Sequence, residues 1–157
     1  MGQQQLLLVI LVTIIVGIAT VVAINIFGTA AEQANVDAVR QDLLGAAAQA
    51  QGMYTRPIMM GGAGGDFNDL PGEAEETLAE RLGIPGSVAG AVITNENAAY
   101  TVSIIAGGDG IQIDAVPNGS PDDIELQVER QNDGTWITRL TVGNNPTVTI
   151  GDEAPAQ

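Results

Sequence analysis

The chain has 157 residues, enough for one ordinary domain, and it contains neither cysteine nor histidine. This composition excludes disulfides, thiol chemistry, histidine-based catalysis and metal sites ligated by either residue within the chain. Nineteen acidic residues against five arginines give a net charge of −14. A surface of that sign repels nucleic-acid phosphates, so no nucleic acid is expected as a partner.

The acidic residues are concentrated after the first third of the chain. Through Arg56, three carboxylates and two arginines give a net charge of −1, whereas from Pro57 onward sixteen carboxylates and three arginines give −13. Solubility is one explanation of this excess. Adaptation of a halophile to high salt is a sharper one, because dense carboxylates hold hydration and lysine is absent.

The most informative stretch is near the N-terminus, where nineteen residues from Leu6 to Ile24 carry no charge. A helix of that length spans roughly 28 Å, about the thickness of the hydrocarbon layer of a bilayer. Because it is apolar on every face, it must be enclosed on every face, either by lipid or by copies of itself. The usual Ala-x-Ala cleavage site of a signal peptide is missing, and residues 28–31 are only the nearest match, so ordinary signal-peptide cleavage is not expected.

The helix is expected to continue well beyond the apolar run, because no proline occurs before Pro57. We predict an N-terminal helical region at 1–56, apolar over 6–27 and amphipathic over 28–56. Apolar residues recur in the second half at steps of three and four: Val36, Val39, Leu43, Ala46 or Ala47, Ala50, and Met53 or Tyr54. This stripe should pack on a domain, and the helix should end at Arg56, which precedes proline.

Residues 57–86 are predicted to form a glycine-rich loop followed by a short helix. The run Gly61–Gly65 is interpreted as a flexible link, and it has no Lys, Ser or Thr of a phosphate-binding loop. Residues 73–82 have helical spacing, with Leu78 and Leu82 on one face and Gly83 as the C-terminal cap.

Residues 87–151 are predicted to form an antiparallel β head, and residues 152–157 a flexible tail. Six β-rich runs are separated by turn-forming residues: 88–94, 98–106, 111–116, 124–130, 135–142 and 147–150. The sequence Asn132-Asp133-Gly134 predicts a hairpin. A meandering sheet laid against the amphipathic half of the helix would bury both apolar surfaces, which predicts an α+β fold.

A long helix, apolar and then amphipathic, followed by a glycine-rich loop and a small antiparallel sheet, resembles the type IV pilin family. The residues Gly2-Gln3-Gln4-Gln5, followed by three leucines, resemble the class III leader of its archaeal-type members. That leader is cut directly after a glycine, so the resemblance implies cleavage between Gly2 and Gln3. It also implies a type IV pilin-like fold.

The resemblance further implies a major pilin, the structural subunit of an extracellular filament used in cell adhesion. The precursor would sit in the inner membrane before assembly, with a prepilin peptidase and the pilus assembly machinery as partners. The apolar segment would then pack against copies of itself in the filament core. The residues expected to make the core contacts are Leu6, Leu7, Leu8, Ile10, Leu11, Ile14, Ile15, Ile18, Val21, Val22 and Phe27.

Two alternatives remain open at this point. One is a single-pass membrane-anchored surface protein whose acidic β domain binds a ligand, and the other is a pseudopilin of a secretion system. Negative-stain microscopy of sheared material separates the polymer from the anchored monomer, because only a polymer yields shed filaments.

The remaining motifs favour turns over binding sites. Residues 107–110 resemble one turn of a calcium-binding glycine repeat, but a β-turn explains them better, and a solvated turn explains Asp122-Asp123 better than a calcium site. Asn118-Gly119-Ser120 is an acceptor sequence for N-glycosylation. No carboxylate pair has an evident base or nucleophile beside it, so we expect no enzyme, cofactor or bound metal.

Overall fold

The computed structural model describes residues 2–143 and 148–150. The predicted tail at 152–157 lies outside these residues. The described elements are α1 (Gly2–Thr55), two 3-10 turns (Ile58–Met60 and Phe67–Asp69), α2 (Ala74–Arg81), β1 (Ser87–Ala89), β2 (Val92–Thr94), β3 (Ala98–Ile104), β4 (Gly110–Pro117), β5 (Ile124–Arg130), β6 (Trp136–Val142) and β7 (Val148–Ile150). The expectation of an α+β fold with a long N-terminal helix is confirmed.

Helix α1 runs without interruption from Gly2 to Thr55, and it stops just before Arg56-Pro57, as the proline predicts. The chain divides after Ala34 into two compact units, residues 1–34 and 35–157. The first unit consists of helix alone. The second contains the last part of α1 together with the loops, α2 and the sheet.

The sheet of the second unit is an antiparallel meander in which the seven described strands follow chain order from β1 to β7. Side chains alternate between a buried and a polar face, as the period of two predicts. On β4, Ile113 is fully buried and lies opposite Leu126 of β5, whereas Asp114 is half-buried and lies opposite Glu125. One face of the sheet is therefore apolar and the other carries carboxylates.

The C-terminal part of α1 packs on the apolar face through the predicted stripe. Where the pattern leaves a choice between neighbours, Ala46 or Ala47 and Met53 or Tyr54, both residues are buried. The buried residues of α1 are Val39, Leu43, Ala46, Ala47, Ala50, Met53 and Tyr54. The stripe is wider than predicted because the helix also contacts the 57–86 connection. The Tyr54 ring lies 5.2 Å from that of Phe67, in the connection, and 5.1 Å from that of Trp136, on β6.

Polar side chains add to the packing between helix and sheet at two buried tyrosines. The Tyr100 hydroxyl, on β3, donates to Asp42 Oδ2 at 2.9 Å, and the Tyr54 hydroxyl donates to Asp109 Oδ1 at 2.9 Å. Burial, followed by the hydrogen bond to a carboxylate, raises the pKa of both phenols above the usual value. Both tyrosines therefore stay protonated in the folded protein at pH values where a free tyrosine ionises.

Local structure differs from expectation in the predicted run at 88–94, which is two strands rather than one. A tight turn separates β1 from β2, with Gly90 at φ +61° and Ala89 paired with Val92. Glycine is strongly favoured at such a φ, and this explains the break. The predicted hairpin at Asn132-Asp133-Gly134 is present between β5 and β6.

The loop at Gly61–Gly65 differs from its interpretation as a flexible link. Its amides bond back to the end of α1: Ala63 N donates to Met53 O, Gly64 N to Arg56 O and Gly65 N to Tyr54 O, each at 2.9 Å. Ala63 is fully buried. The glycines therefore serve close backbone packing rather than freedom of movement.

Candidate polymerisation surface

The predicted core residues all lie on the first unit of the chain, and all eleven are exposed there. Five further large apolar residues in the same run are equally exposed: Val9, Val12, Val16, Ile24 and Ile26. These five residues are not among the predicted core residues, although they belong to the same unbroken apolar run. Residues 6–27 thus expose apolar side chains around the whole circumference of the helix, and we call this the apolar segment.

The hydroxyl groups within the apolar segment are satisfied by the helix itself. Thr13 Oγ1 donates to Val9 O at 2.9 Å, and Thr20 Oγ1 donates to Val16 O at 2.8 Å. These bonds to the preceding turn leave the threonine methyl groups to face outward. The segment therefore offers an uncharged surface with few demands for hydrogen bonds, a surface suited to lipid or to another apolar helix.

The glycine at the middle of the segment is not required by contacts within the chain. A Cβ at Gly17 would meet no other atom within 4 Å. Glycine in a helix interior costs about 1 kcal/mol relative to alanine. Gly17 leaves a place where another helix can approach the α1 backbone closely.

One helix in the described part of the chain is long and apolar enough to cross a membrane. Its most apolar window of 18 residues, near the N-terminus, has a mean hydropathy of 3.2 and no buried residue. By length and composition, α1 is therefore compatible with membrane insertion. A signal sequence near an N-terminus has the same two properties.

The residues of the predicted leader cleavage lie at the start of the described helix. Gly2 is the first residue of α1, and Gln3 follows it with its side chain exposed. Cleavage between them stays a prediction.

The predicted glycosylation site lies in the connection between β4 and β5. Asn118 is exposed, and its side-chain Nδ2 donates to Glu96 O at 2.8 Å. Its own backbone oxygen accepts a hydrogen bond at 2.6 Å from Nδ2 of Asn35, on α1. Asn118 therefore helps to hold the connection against α1 within the second unit, and a glycan on its Nδ2 would replace one hydrogen of this amide.

The remaining candidate motifs lie in turns. Residues 107–109 lie in the connection between β3 and β4, where Gly108 N donates to Ile105 O at 3.0 Å, and Gly110 begins β4. Asp122 and Asp123 line an open depression of about 460 Å³ together with Asp114 and Glu125. Within residues 2–143 and 148–150, no group of three or more acidic residues is placed to hold a metal ion.

No protein-family model, curated protein or solved structure matches this chain significantly. The likeness to pilins therefore rests on the sequence pattern and on the fold. The fold is consistent with that likeness, since a long N-terminal helix, apolar in its first half, is followed by an antiparallel sheet on which its C-terminal part packs.

Proposed function

We propose that this chain is the structural subunit of an extracellular filament of the type IV pilus kind, and that it polymerises through the apolar segment. The observation that carries the proposal is the exposure of sixteen large apolar side chains within residues 6–27. Soluble monomers rarely expose contiguous apolar surface beyond a few hundred Å². A surface of this size requires a partner of the same polarity.

The energy available from such a partner is large. With about 1,500 Å² of apolar surface per segment and about 25 cal/mol for each Å² removed from water, burial contributes tens of kcal/mol before the cost of ordering the subunits. Copies of the chain that pack side by side and are shifted along the helix axis use two different patches, and such a contact repeats into a helical polymer when its rotation does not close a ring. A stable filament therefore needs no covalent link, in agreement with the lack of cysteine.

The same segment supports a location for the chain before assembly. A helix with a mean hydropathy of 3.2 over 18 residues is long and apolar enough to cross a lipid bilayer. We propose that the precursor waits in the inner membrane, that a prepilin peptidase cuts it between Gly2 and Gln3, and that the pilus assembly machinery transfers it to the filament at the cell surface. Intact mass of the exported protein tests the cleavage, because removal of Met1 and Gly2 gives a defined mass loss.

A second function is favoured by the same helix. A single-pass anchored protein would also keep the apolar segment in lipid and expose an acidic domain to water. Negative-stain microscopy of material sheared from cells, with mass spectrometry of what is shed, distinguishes the two. We expect filaments composed of this chain, and recovery of the chain only as single copies in the membrane fraction would disprove the polymer.

A further inference from the structure

Among the residues whose exposure the structure describes, the second unit carries one cluster of consecutive exposed apolar side chains that its own core does not use. Met59 is 99% exposed, Met60 71% and Ile58 48%. These three consecutive residues form the 3-10 turn after α1, which we call the methionine turn. Over residues 35–143, the other large apolar side chains that are exposed, Leu44, Val88 and Val116, stand alone in the sequence.

The methionine turn is held in place by the backbone around it. Met60 N and Gly62 N both donate to Pro57 O, at 2.9 and 3.1 Å, and Gly61 N donates to Ile58 O at 2.9 Å. Arg81 of α2 donates a hydrogen bond to Gly61 O. The three apolar side chains are therefore presented from a backbone that is already ordered, which lowers the entropy lost when they are covered.

Packing of Ile58 against the loop at Gly61–Gly65 also helps to hold the methionine turn in place. A Cβ on Gly64 would lie 2.9 Å from Ile58 Cγ1, so Ile58 packs directly on a backbone that has no side chain. The two methionines extend beyond this base. Methionine is unbranched and adapts its shape to irregular grooves such as those between the side-chain ridges of a helix.

Charge narrows the choice of partner. Residues 57–65 contain no ionisable side chain, although the chain from Pro57 onward has a net charge of −13. Two copies of the second unit therefore repel each other except where they meet through neutral surface. The same acidity opposes docking of this unit on an anionic lipid surface. A second copy of the chain offers a neutral and apolar surface at residues 6–27.

Area rules out the turn as an interface by itself. Three side chains expose on the order of a few hundred Å², whereas a specific interface between proteins buries about 1,200 Å² or more in total. Contact between two methionine turns would therefore be too small to hold a pair of copies. The turn can add only to a contact that a larger surface maintains.

We infer that the methionine turn of one copy contacts the apolar segment of a second copy, an inference that rests on the filament proposed above. In the filament each methionine turn covers part of a neighbour's helix that would otherwise face water. The contact joins two different patches, so it repeats along the polymer as the helix packing does. It also seals apolar surface close to the acidic units.

Photo-crosslinking of assembled filaments tests the contact directly. The chain has no cysteine, so Met59→Cys in the full-length chain accepts one benzophenone maleimide at a known place. Val116→Cys, at another exposed apolar position of the same unit, is the matched control. No Lys or Arg precedes Arg40, so a single tryptic peptide ending there carries the whole apolar segment.

After irradiation, we expect covalent dimers in which the Met59 label is joined to that peptide, at a yield at least tenfold above the Val116 label. Adducts confined to one copy, to residues 41–157 of another copy, or to lipid would overturn the inference. Loss of filaments on labelling at Met59 but not at Val116 supports it. Absence of filaments from the unmodified chain overturns the proposed function itself, and the inference with it.

A second pair of variants covers the case in which both labels prevent assembly. Met59→Ser changes a side chain that makes almost no contact within its own copy, so the second unit should unfold as the wild type does. Filaments of Met59→Ser should dissociate at a lower denaturant concentration than wild-type filaments, and filaments of Val116→Ser should not. Equal midpoints for Met59→Ser and wild type would refute the contact.

Discussion

Leucines in the two parts of α1 have opposite surroundings. Leu11, in the first unit, is 56% exposed, and Leu43, in the second, is fully buried. Both residues belong to the same uninterrupted helix. The difference arises because the second unit contains a sheet and a connection that cover one stripe of the helix, whereas the first unit contains nothing but helix.

This contrast shows that apolarity alone does not decide burial within a chain. Within the second unit, the sheet covers one side of the helix and the other side faces water, so the helix needs only one apolar stripe. In the first unit, by contrast, the apolar segment is apolar on every side, and no sheet belongs to that unit to cover it. The described residues of the second unit thus complete one hydrophobic core, and the proposed filament would bury the apolar segment in another.

The largest effect should come from placing a charge in the apolar segment. Leu11→Asp, or Ile15→Asp, puts a carboxylate where the filament core would have no water, at a cost of about 2.5–3.5 kcal/mol per copy if the core resembles lipid. We expect filament yield to fall roughly a hundredfold or more, since each 1.4 kcal/mol is a factor of ten. Microscopy and sedimentation of sheared material measure the yield.

The control for this variant is Leu11→Met, which conserves volume and polarity and should assemble normally. The second unit should stay folded in both variants, with an unchanged near-ultraviolet circular dichroism signal from Trp136. Normal filaments from the aspartate variants would show that residues 6–27 do not form the core.

The same truncation in the two regions should give different results. Leu43→Ala creates a cavity in the core of the second unit and should lower its free energy of unfolding by about 2–5 kcal/mol. Leu11→Ala removes the same atoms from an exposed position, so it should leave that free energy unchanged and weaken only the filament. Denaturant unfolding of each full-length variant in detergent measures the first quantity. Equal losses in the two variants would contradict the division into two units.

The sequence predicts an element most accurately where one local pattern determines it and no contact with distant residues changes it. The absence of proline through Arg56 predicted α1 to within a residue of its end at Thr55. Alternation of apolar and polar residues predicted β5 at 124–130. These elements depend on local pattern, and tertiary contacts only reinforce the pattern.

Other features depend on neighbours that are distant in sequence, and the pattern did not reveal them. The loop at Gly61–Gly65 is one example. Its hydrogen bonds run to the end of α1, and no local pattern in the sequence indicates them, so the sequence alone predicts a flexible link. Tyr54 is buried with Met53 because Phe67 and Trp136 both approach it. The candidate surface was predictable as a run of apolar residues, but that run has the same pattern whether lipid or another helix covers it, so the sequence does not identify what covers it.

Alkaline pH should affect the second unit alone. The chain has no lysine, cysteine or histidine, and residues 2–31 contain no ionisable side chain, so tyrosines are the side chains that titrate around pH 10. Burial and the bond to Asp42 raise the pKa of Tyr100 in the folded state, and the folded form therefore holds its proton longer than the unfolded form. The resulting stability is fully present below about pH 10 and is lost as pH rises above it.

We expect the free energy of unfolding of the second unit to be lower at pH 11 than at pH 8, with tyrosinate absorbance appearing only as the unit unfolds. Tyr100→Phe should reduce that difference, although it loses the hydrogen bond to Asp42 at both pH values. A variant that keeps the full alkaline loss would assign the effect to another group. Tyr54, whose pKa is also raised, is the alternative to examine by Tyr54→Phe.

The smallest effect concerns repulsion on the polar face of the sheet, a feature that the first unit does not have. Asp114 lies directly opposite Glu125, and like charges in that position destabilise an antiparallel pair. Gln112 Nε2 donates to both carboxylate oxygens of Asp114 at 3.1 Å, which offsets part of the repulsion. Asp114→Asn keeps an acceptor for Gln112 and removes the charge.

In dilute buffer, Asp114→Asn should raise the free energy of unfolding by a few tenths to about 1 kcal/mol, measured by denaturant titration. In molar salt the gain should vanish, because the Debye length falls to about 3 Å and the wild-type repulsion is already screened. Glu96→Gln, in the loop between β2 and β3 and outside the strand pairs, removes the same charge without removing a facing carboxylate. If both variants gain equally, the net charge of the second unit destabilises it, and the facing pair has no special role.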